Sequence, residues 1–175
     1  GSADADVSAR ASEGHQVFSE NQTGVSFETL FWPWLDDATQ ITITDPYIRL
    51  FHQARNLMEL LELIAARKPR GELVQVSLRT IADDFDPDRQ AGYLNSIQDG
   101  MEAAGITFDW EALPDHALHA RHIVTDTGWK ISPDRGLDIF QKFDLNDAFS
   151  LANKRQEFRR VKGFEITWMR MGGVS

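Results

Sequence analysis

Alternation of apolar and polar residues predicts six strands along this chain. In the segment QITIT, at residues 40–44, Ile41 and Ile43 alternate with threonines, which is typical of a strand inside a sheet. The same period of two predicts the other five strands at 72–81, 106–111, 118–124, 129–131 and 164–171. Because only a short polar turn separates 118–124 from 129–131, these two strands are predicted to form a β-hairpin.

Apolar residues at helical spacing predict helices between the strands. The longest begins at Asp45, a helix-capping residue, has Pro46 in its first turn and runs to about residue 68. A second helix opens with the same combination at Asp86-Pro87, and a short aromatic helix follows Ser26. This order of elements predicts the α/β class, with a phospholipase D-like mixed β-sheet flanked by helices, as the resemblance described below also implies.

The chain of 175 residues is expected to contain one domain at residues 25–171. Residues 1–24 are mostly small and polar, so they are predicted to be a disordered linker, and residues 172–175 a frayed tail. The chain starts with Gly-Ser, as after tag removal, so we expect upstream domains in a longer parent protein.

Composition narrows the possible functions. The chain is 42% hydrophobic and 26% charged, and no apolar run approaches the roughly 20 residues of a membrane span. It contains no cysteine, which excludes disulfides and thiolate metal sites and fits a cytoplasmic protein. The net charge of −9 opposes general adhesion to polyanions, so any phosphate binding must be local.

The densest chemistry lies in the predicted hairpin, where His119, Arg121 and Asp126 form the spacing H-x-R-x-x-x-x-D. This spacing is one substitution from the H-x-K-x-x-x-x-D signature of the phospholipase D superfamily, in which histidine attacks phosphorus and lysine holds phosphate oxygens. A strand at 118–124 would place His119 and Arg121 on one face. If the site were active, His119 would be the nucleophile, Asp126 would orient it, and a dimer mate would supply a second histidine.

Arginine in place of lysine leaves three interpretations of this motif open. A guanidinium is always charged and grips phosphate with a planar fork, so it binds well but shapes the site differently from an ammonium. The motif can therefore be catalytic or can bind phosphate without catalysis. In the third interpretation, His119 and Arg121 are partly buried structural residues of the sheet whose polar groups pair with Asp126 or Asp138.

Two further groups of residues are candidates for anion binding. Arg49, His52 and Asn56 share one polar stripe of the long helix, where they form an anion pocket or lock the helix to the hairpin through Asp138. The second group is a basic run that suits lipid headgroups or nucleic-acid phosphates, or is simply a solvated face; its candidates are Arg155, Arg159, Arg160 and Lys162.

The run Arg135-Gly136-Leu137-Asp138 is predicted to be structural, with Gly136 in a left-handed turn and Asp138 as a cap or ion-pair partner, although Arg135 is also a binding candidate. Three histidines, His116, His119 and His122, are spaced so that a strand would not converge them on a metal. We expect neither a metal nor a cofactor.

Two long runs carry a resemblance to a known family. The first includes Asp45-Pro46-Tyr47-Ile48-Arg49, His52-Gln53 and Asn56; the second includes His119, Arg121, Gly128-Trp129 and Arg135-Gly136-Leu137-Asp138. Both resemble the phospholipase D-like C-terminal domain of MIT-domain proteins that act with the ESCRT machinery. The resemblance implies a homodimer and binding of acidic phosphoinositide membranes rather than catalysis. The chain is also similar to bacterial domains that follow Lon-related AAA+ proteins in phage defence.

These observations predict a non-catalytic accessory domain that recognises phosphate-bearing polyanions, either an acidic membrane surface or nucleic acid, and mediates dimerisation. Its expected location is cytoplasmic, including the membrane periphery. One alternative is a phosphodiesterase or nuclease whose single motif is completed by a dimer mate. The other is a protein-interaction or oligomerisation module.

Overall fold

The computed structural model describes residues 11–172, and these form a single seven-stranded sheet with helices. The strands are β1 Gly14–Phe18, β2 Gln40–Thr44, β3 Val74–Ile81, β4 Ile106–Leu113, β5 His122–Thr125, β6 Trp129–Pro133 and β7 Phe164–Arg170. The helices are α1 Phe27–Leu35, α2 Phe51–Arg67, α3 Pro87–Glu102 and the short α4 Leu151–Lys154, which a 3₁₀ turn at Gln156–Phe158 follows.

The sheet is mixed, with the strand order β1-β7-β6-β5-β2-β3-β4. Strands β2, β3 and β4 are parallel because α2 and α3 carry the chain back between them. The β5–β6 hairpin, β7 and β1 continue the sheet in antiparallel pairs, and β5 pairs with β2. The predicted α/β class with a mixed sheet flanked by helices is therefore confirmed.

The core lies between one face of the sheet and the helices. Ile41, Ile43 and their counterparts on neighbouring strands are buried, as are the apolar residues of α2 from Leu57 to Ile64 that face them. Helix α1 packs over the other half of the sheet, where the Trp34 and Trp168 rings stack with centroids 4.6 Å apart. No helix among residues 11–172 is long and apolar enough to cross a bilayer.

The linker prediction for residues 1–24 is wrong at residues 14–18, which form the edge strand β1. Four of its five residues are exposed, and only Phe18 is buried, stacked on Phe164 with centroids 4.7 Å apart. The strand lacks an apolar alternation because only its end faces the core. Residues 1–10 of the predicted linker and residues 173–175 of the predicted tail lie outside the described part of the chain.

The predicted start of the long helix is also wrong, because α2 begins at Phe51 rather than after Asp45. The Asp45 carboxylate accepts a hydrogen bond from the distant Leu137 N–H, so it does not cap this helix. Gln53 instead provides the hydrogen-bond acceptor at the start of this helix. Its side-chain oxygen accepts from the N–H groups of Arg49 and Leu50, at 3.0 and 2.9 Å. At α3 the prediction is confirmed: Asp86 caps the helix and Pro87 is its first residue.

The hairpin is confirmed at its turn but is shorter than predicted. Strand β5 starts at His122, whereas the pattern predicted a strand from residue 118. Its partner β2 ends at Thr44, directly opposite His122, and the chain then turns away at Asp45. The residues before His122 have no strand to pair with, so they form a loop.

Candidate functional site at the end of strand β2

Several residues of the two runs that carry the family resemblance meet at the edge of the sheet where β2 ends and β5 begins. The register places Thr44 opposite His122, so the loop after β2 and the loop before β5 leave the sheet side by side. Because β2 is parallel to β3, this edge carries the carboxyl ends of parallel strands, where α/β sheets commonly bind ligands. The geometry of each side chain decides which of them remain available to a ligand.

Asp45 and Gly136 form a close contact between the two resembling runs. The Asp45 side chain is buried and accepts hydrogen bonds from the N–H groups of Tyr47 and Leu137, at 2.9 and 3.3 Å. Gly136 has a φ of +61°, and a Cβ at this position would overlap an Asp45 carboxylate oxygen. Glycine is thus required for both conformation and space, and both residues hold the loop after β2 against the turn after β6.

Burial raises the pKa of the Asp45 carboxyl, although its two N–H donors and the nearby Arg121 oppose the shift. Burial therefore outweighs the compensation that its partners provide. A carboxyl already engaged by two backbone donors has a structural function, holding one loop to another.

Arg121 lies over an aromatic ring in the same cluster. Its guanidinium carbon is 4.3 Å from the centroid of the Tyr47 ring, and that of Arg49 is 5.3 Å from the same centroid. Arg121 is half-buried and its Cδ is near the Gly136 backbone, 3.1 Å from where a Cβ would be. Arg121, the residue that would hold phosphate in an active motif, is thus already in contact with the Tyr47 ring and attracted by the charge of Asp45.

The three residues of the H-x-R-x-x-x-x-D spacing are not brought together. His119 is exposed in the loop before β5, and Asp126 follows β5 at the opposite end. At about 3.3 Å per residue, the four residues of β5 separate these ends by roughly 13 Å. The prediction that His119 and Arg121 share a strand face is wrong, because the strand begins after them.

Asp126 has partners of its own at the hairpin turn. Its carboxylate accepts hydrogen bonds from the Thr39 backbone N–H at 3.1 Å and from the Thr39 hydroxyl at 2.7 Å. The pKa of Asp126 is lowered overall. Partial burial alone would raise it, but these two hydrogen bonds and one involving Gln40 lower it by more. Asp126 thus fastens the hairpin to the start of β2 and does not orient His119.

A cleft of about 320 Å³ lies beside α2, next to this cluster. Its lining includes the predicted binding residues His52, Asn56 and Lys162, together with Asp138. The Asp138 carboxylate lies 3.9 Å from His52 Nε2 and 3.1 Å from Lys162 Nζ, so it joins α2 to the segment before β7. Three elements distant in sequence therefore converge on one cavity.

Comparison with known proteins agrees with this architecture. Residues 24–170 match the family described as the phospholipase D-like domain at the C-terminus of MIT. The chain belongs to this family. MIT domain-containing protein 1 of Mus musculus is 31% identical over 124 residues, which are 70% of this chain and 49% of the mouse protein. The chain thus spans about half the length of this curated relative, and the link to Lon-related phage-defence proteins stays a prediction.

Arg159 is the clearest correction to the predicted binding residues of this domain. It is 2% exposed, and its guanidinium makes a bidentate pair with Glu59 of α2, at 2.6 and 2.8 Å. The same group lies 4.0 Å from the centroid of the Phe143 ring, and its Nε donates to the Ala152 carbonyl. Arg159 is therefore a buried anchor, and its charge is not available to a ligand.

The remaining predicted cations have different surroundings. Arg135 donates from Nε to the Gly163 carbonyl at 2.8 Å, which holds the turn after β6 to the start of β7. Arg155 is exposed, with its guanidinium 3.6 Å from the Glu157 carboxylate, and Arg160 is exposed nearby. Of the basic run, Arg155 and Arg160 thus present charge to solvent, and Lys162 presents it toward the cleft.

The sequence did not identify several residues that surround this basic run. Phe149 is 96% exposed, Leu151 57% and Phe158 48%, although apolar side chains of this size are usually covered. Arg55, Lys142 and Phe143 also line the cleft. The available signal was a few scattered apolar residues in a largely polar segment, which did not indicate whether their side chains would be inside or outside.

Proposed function

We propose that this domain binds acidic, phosphate-bearing membrane surfaces through a basic surface formed by residues 142–162, and that it does so as a non-catalytic part of a larger protein. The observation that carries the proposal is the placement of exposed Phe149, Leu151 and Phe158 among exposed cations. Apolar side chains that enter the interface beside basic residues that meet headgroups are a known arrangement of peripheral membrane proteins.

Charge in this segment opposes the charge of the whole chain, which is −9. Each lysine or arginine near an anionic surface contributes about 1 kcal/mol to binding. The exposed cations of the surface are Lys142, Lys154, Arg155 and Arg160. Three acidic residues reduce this attraction: Glu157, which is 3.6 Å from Arg155, and Asp144 and Asp147, which also accept backbone hydrogen bonds within their own turns. Since the net attraction is modest, the apolar side chains are needed as a second contribution.

The same features favour a membrane over nucleic acid. Duplex binding is dominated by cations on phosphates and gains nothing from an exposed leucine, whereas Leu151 and Phe149 gain by entering the acyl boundary. The predicted homodimer would place two copies of the basic surface on one membrane and raise its avidity. Sedimentation equilibrium tests this dimer directly.

The test is cosedimentation with phosphatidylcholine vesicles that contain or lack an acidic phosphoinositide. Wild type should sediment with the acidic vesicles only. Arg155→Ala combined with Arg160→Ala should weaken binding about thirtyfold, the equivalent of about 2 kcal/mol. Phe149→Ala combined with Leu151→Ala should weaken it while leaving the salt dependence unchanged, because these two residues carry no charge.

Matched controls are Arg70→Ala and Phe85→Ala, an exposed cation and a 90% exposed phenylalanine elsewhere on the domain. Equal losses in the controls, or no binding of wild type to acidic vesicles, would overturn the proposal. Tighter binding to duplex DNA that survives loss of Phe149 would assign the surface to nucleic acid. Binding to neither would favour a protein-interaction module.

The phosphodiesterase alternative receives less support from the geometry. Arg121 is stacked on Tyr47, and Asp126 is engaged by Thr39 at the far end of β5. Robust turnover of a phosphodiester substrate that disappears in His119→Ala would nevertheless overturn the non-catalytic proposal.

A further inference from the structure

The cleft beside α2 has features of a binding site that the membrane proposal does not use. Its volume of about 320 Å³ is at the small end of the range for cavities that hold small molecules. Its walls come from α2 and from the segments before and after the Arg159 anchor. The ion pair between Arg159 and Glu59 fixes these segments against α2, so the cavity is built on rigid contacts.

Asn56 is the most informative residue of this cleft. It is 8% exposed, it lines the cavity, and among residues 11–172 no side chain or backbone group pairs with its amide. Its amide nitrogen and oxygen are not sealed off by protein atoms, so a molecule in the cleft can reach them. The planar amide thus presents an NH2 group, with two N–H donors, and an acceptor oxygen to whatever fills the cavity.

One wall of the cleft is aromatic and aliphatic. Phe140, Phe143 and Leu145 line the cavity. The Arg159 guanidinium covers one face of the Phe143 ring at 4.0 Å, so only the other face is available to a ligand. A planar heterocycle gains contact area against this apolar wall, whereas the hydroxyls of an inositol ring that faced it would lose their hydrogen bonds to water.

The charges around the cleft that are not already paired with another protein group are positive. The two carboxylates of the lining are already engaged, Glu59 by Arg159 and Asp138 by Lys162. Arg55 and Lys142 also line the cleft, and neither forms an ion pair within the described part of the chain. The unused charge therefore suits an anionic group next to the apolar wall.

We propose that this cleft binds a nucleoside monophosphate. The base lies along Phe143 with its hydrogen-bonding edge on the Asn56 amide, and the phosphate meets Arg55 and Lys142. Lys142 belongs to both surfaces, but the two proposals are tested separately, because none of the residues changed in the vesicle assay, Arg155, Arg160, Phe149 and Leu151, lines the cleft.

The test is calorimetric titration of the full chain with AMP, GMP, CMP and UMP, and with the matching nucleosides, inositol monophosphate and inorganic phosphate. At least one nucleotide should bind about tenfold more tightly than inositol monophosphate or phosphate. Arg55→Ala should cost about tenfold for the nucleotide, as expected for one charge-assisted contact, and leave nucleoside binding unchanged. Arg70→Ala is the matched control and should change neither.

Asn56→Leu separates a binding function from a structural one. Because the amide lacks a protein partner, an apolar side chain of similar size should leave the unfolding temperature unchanged or raised, while discrimination between bases is lost. A large fall in unfolding temperature would make Asn56 a structural residue and overturn the inference. Equal affinity for phosphate and nucleotides, or no nucleotide binding at millimolar concentration, would overturn it as well.

Discussion

The Glu59–Arg159 pair offers a sharp test of how this fold is held together. Glu59→Leu removes the carboxylate at similar volume and leaves a guanidinium that is 2% exposed without its charge partner. Breaking a buried pair from one side costs about 3–5 kcal/mol, because the remaining charge is desolvated. For a chain of this size, each kcal/mol lowers the unfolding temperature by about 2–4 °C, so a fall of roughly 6–20 °C is expected.

The assay is thermal unfolding followed by circular dichroism, together with urea titration. Glu59→Leu combined with Arg159→Met should recover most of the loss, because no charge is then left buried. Glu111→Leu is the matched control, since its ion pair with Arg79 is about half-exposed on both sides and should contribute under about 1 kcal/mol. If Glu59→Leu were no more costly than Glu111→Leu, or the double variant recovered nothing, the pair would not be the anchor described.

Two further predictions concern the loops around the sheet edge. Gly136→Ala should destabilise the domain by about 2 kcal/mol or more, because of its positive φ and the Asp45 carboxylate in the way, whereas Gly92→Ala in α3 should stabilise it by about 0.5–1 kcal/mol; urea unfolding compares them, and equal effects would contradict the steric argument. Asp126→Asn should destabilise at neutral pH. The pKa of Asp126 is lowered by folding, so its contribution is present above the ordinary value of 3.8 and disappears as pH falls through the folded value; a pH-independent difference would exclude the charged Thr39 contact.

Sequence patterns predicted the elements whose signals are local. Strand β3 alternates buried and exposed residues over most of its length, so its period was readable without knowledge of the fold. The Asp86 cap succeeded because its carboxylate bonds to Arg89 N–H three residues later. The identical signature at Asp45-Pro46 failed, because the Asp45 side chain is claimed by Leu137 from another part of the chain. A capping rule considers only residues close in sequence, so it cannot predict a competing partner 92 residues away.

The candidate site shows the same limit. The sequence places Arg159 among several surface cations because its neighbours in sequence are basic, and only the fold reveals Glu59 opposite it. The convergence of His52, Asn56 and Lys162 with Asp138 was partly anticipated from the helical stripe. Arg55 and Phe143 were not anticipated, since nothing near them in sequence indicates that a cavity separates α2 from the later segment.

The pairing of β1 with β7 has a consequence for the order in which this domain is made. Strand β1 leaves the ribosome well before its partner β7, which is close to the end of the described chain, with Gly14 opposite Trp168. Until β7 emerges, β1 is an unpaired edge in a nascent chain, a condition that invites aggregation. Its composition suits this wait, because GHQVF buries a single residue and is otherwise polar or exposed. The lack of an apolar alternation prevented prediction of β1 from the sequence. The same lack reduces the tendency of the unpaired strand to aggregate during synthesis.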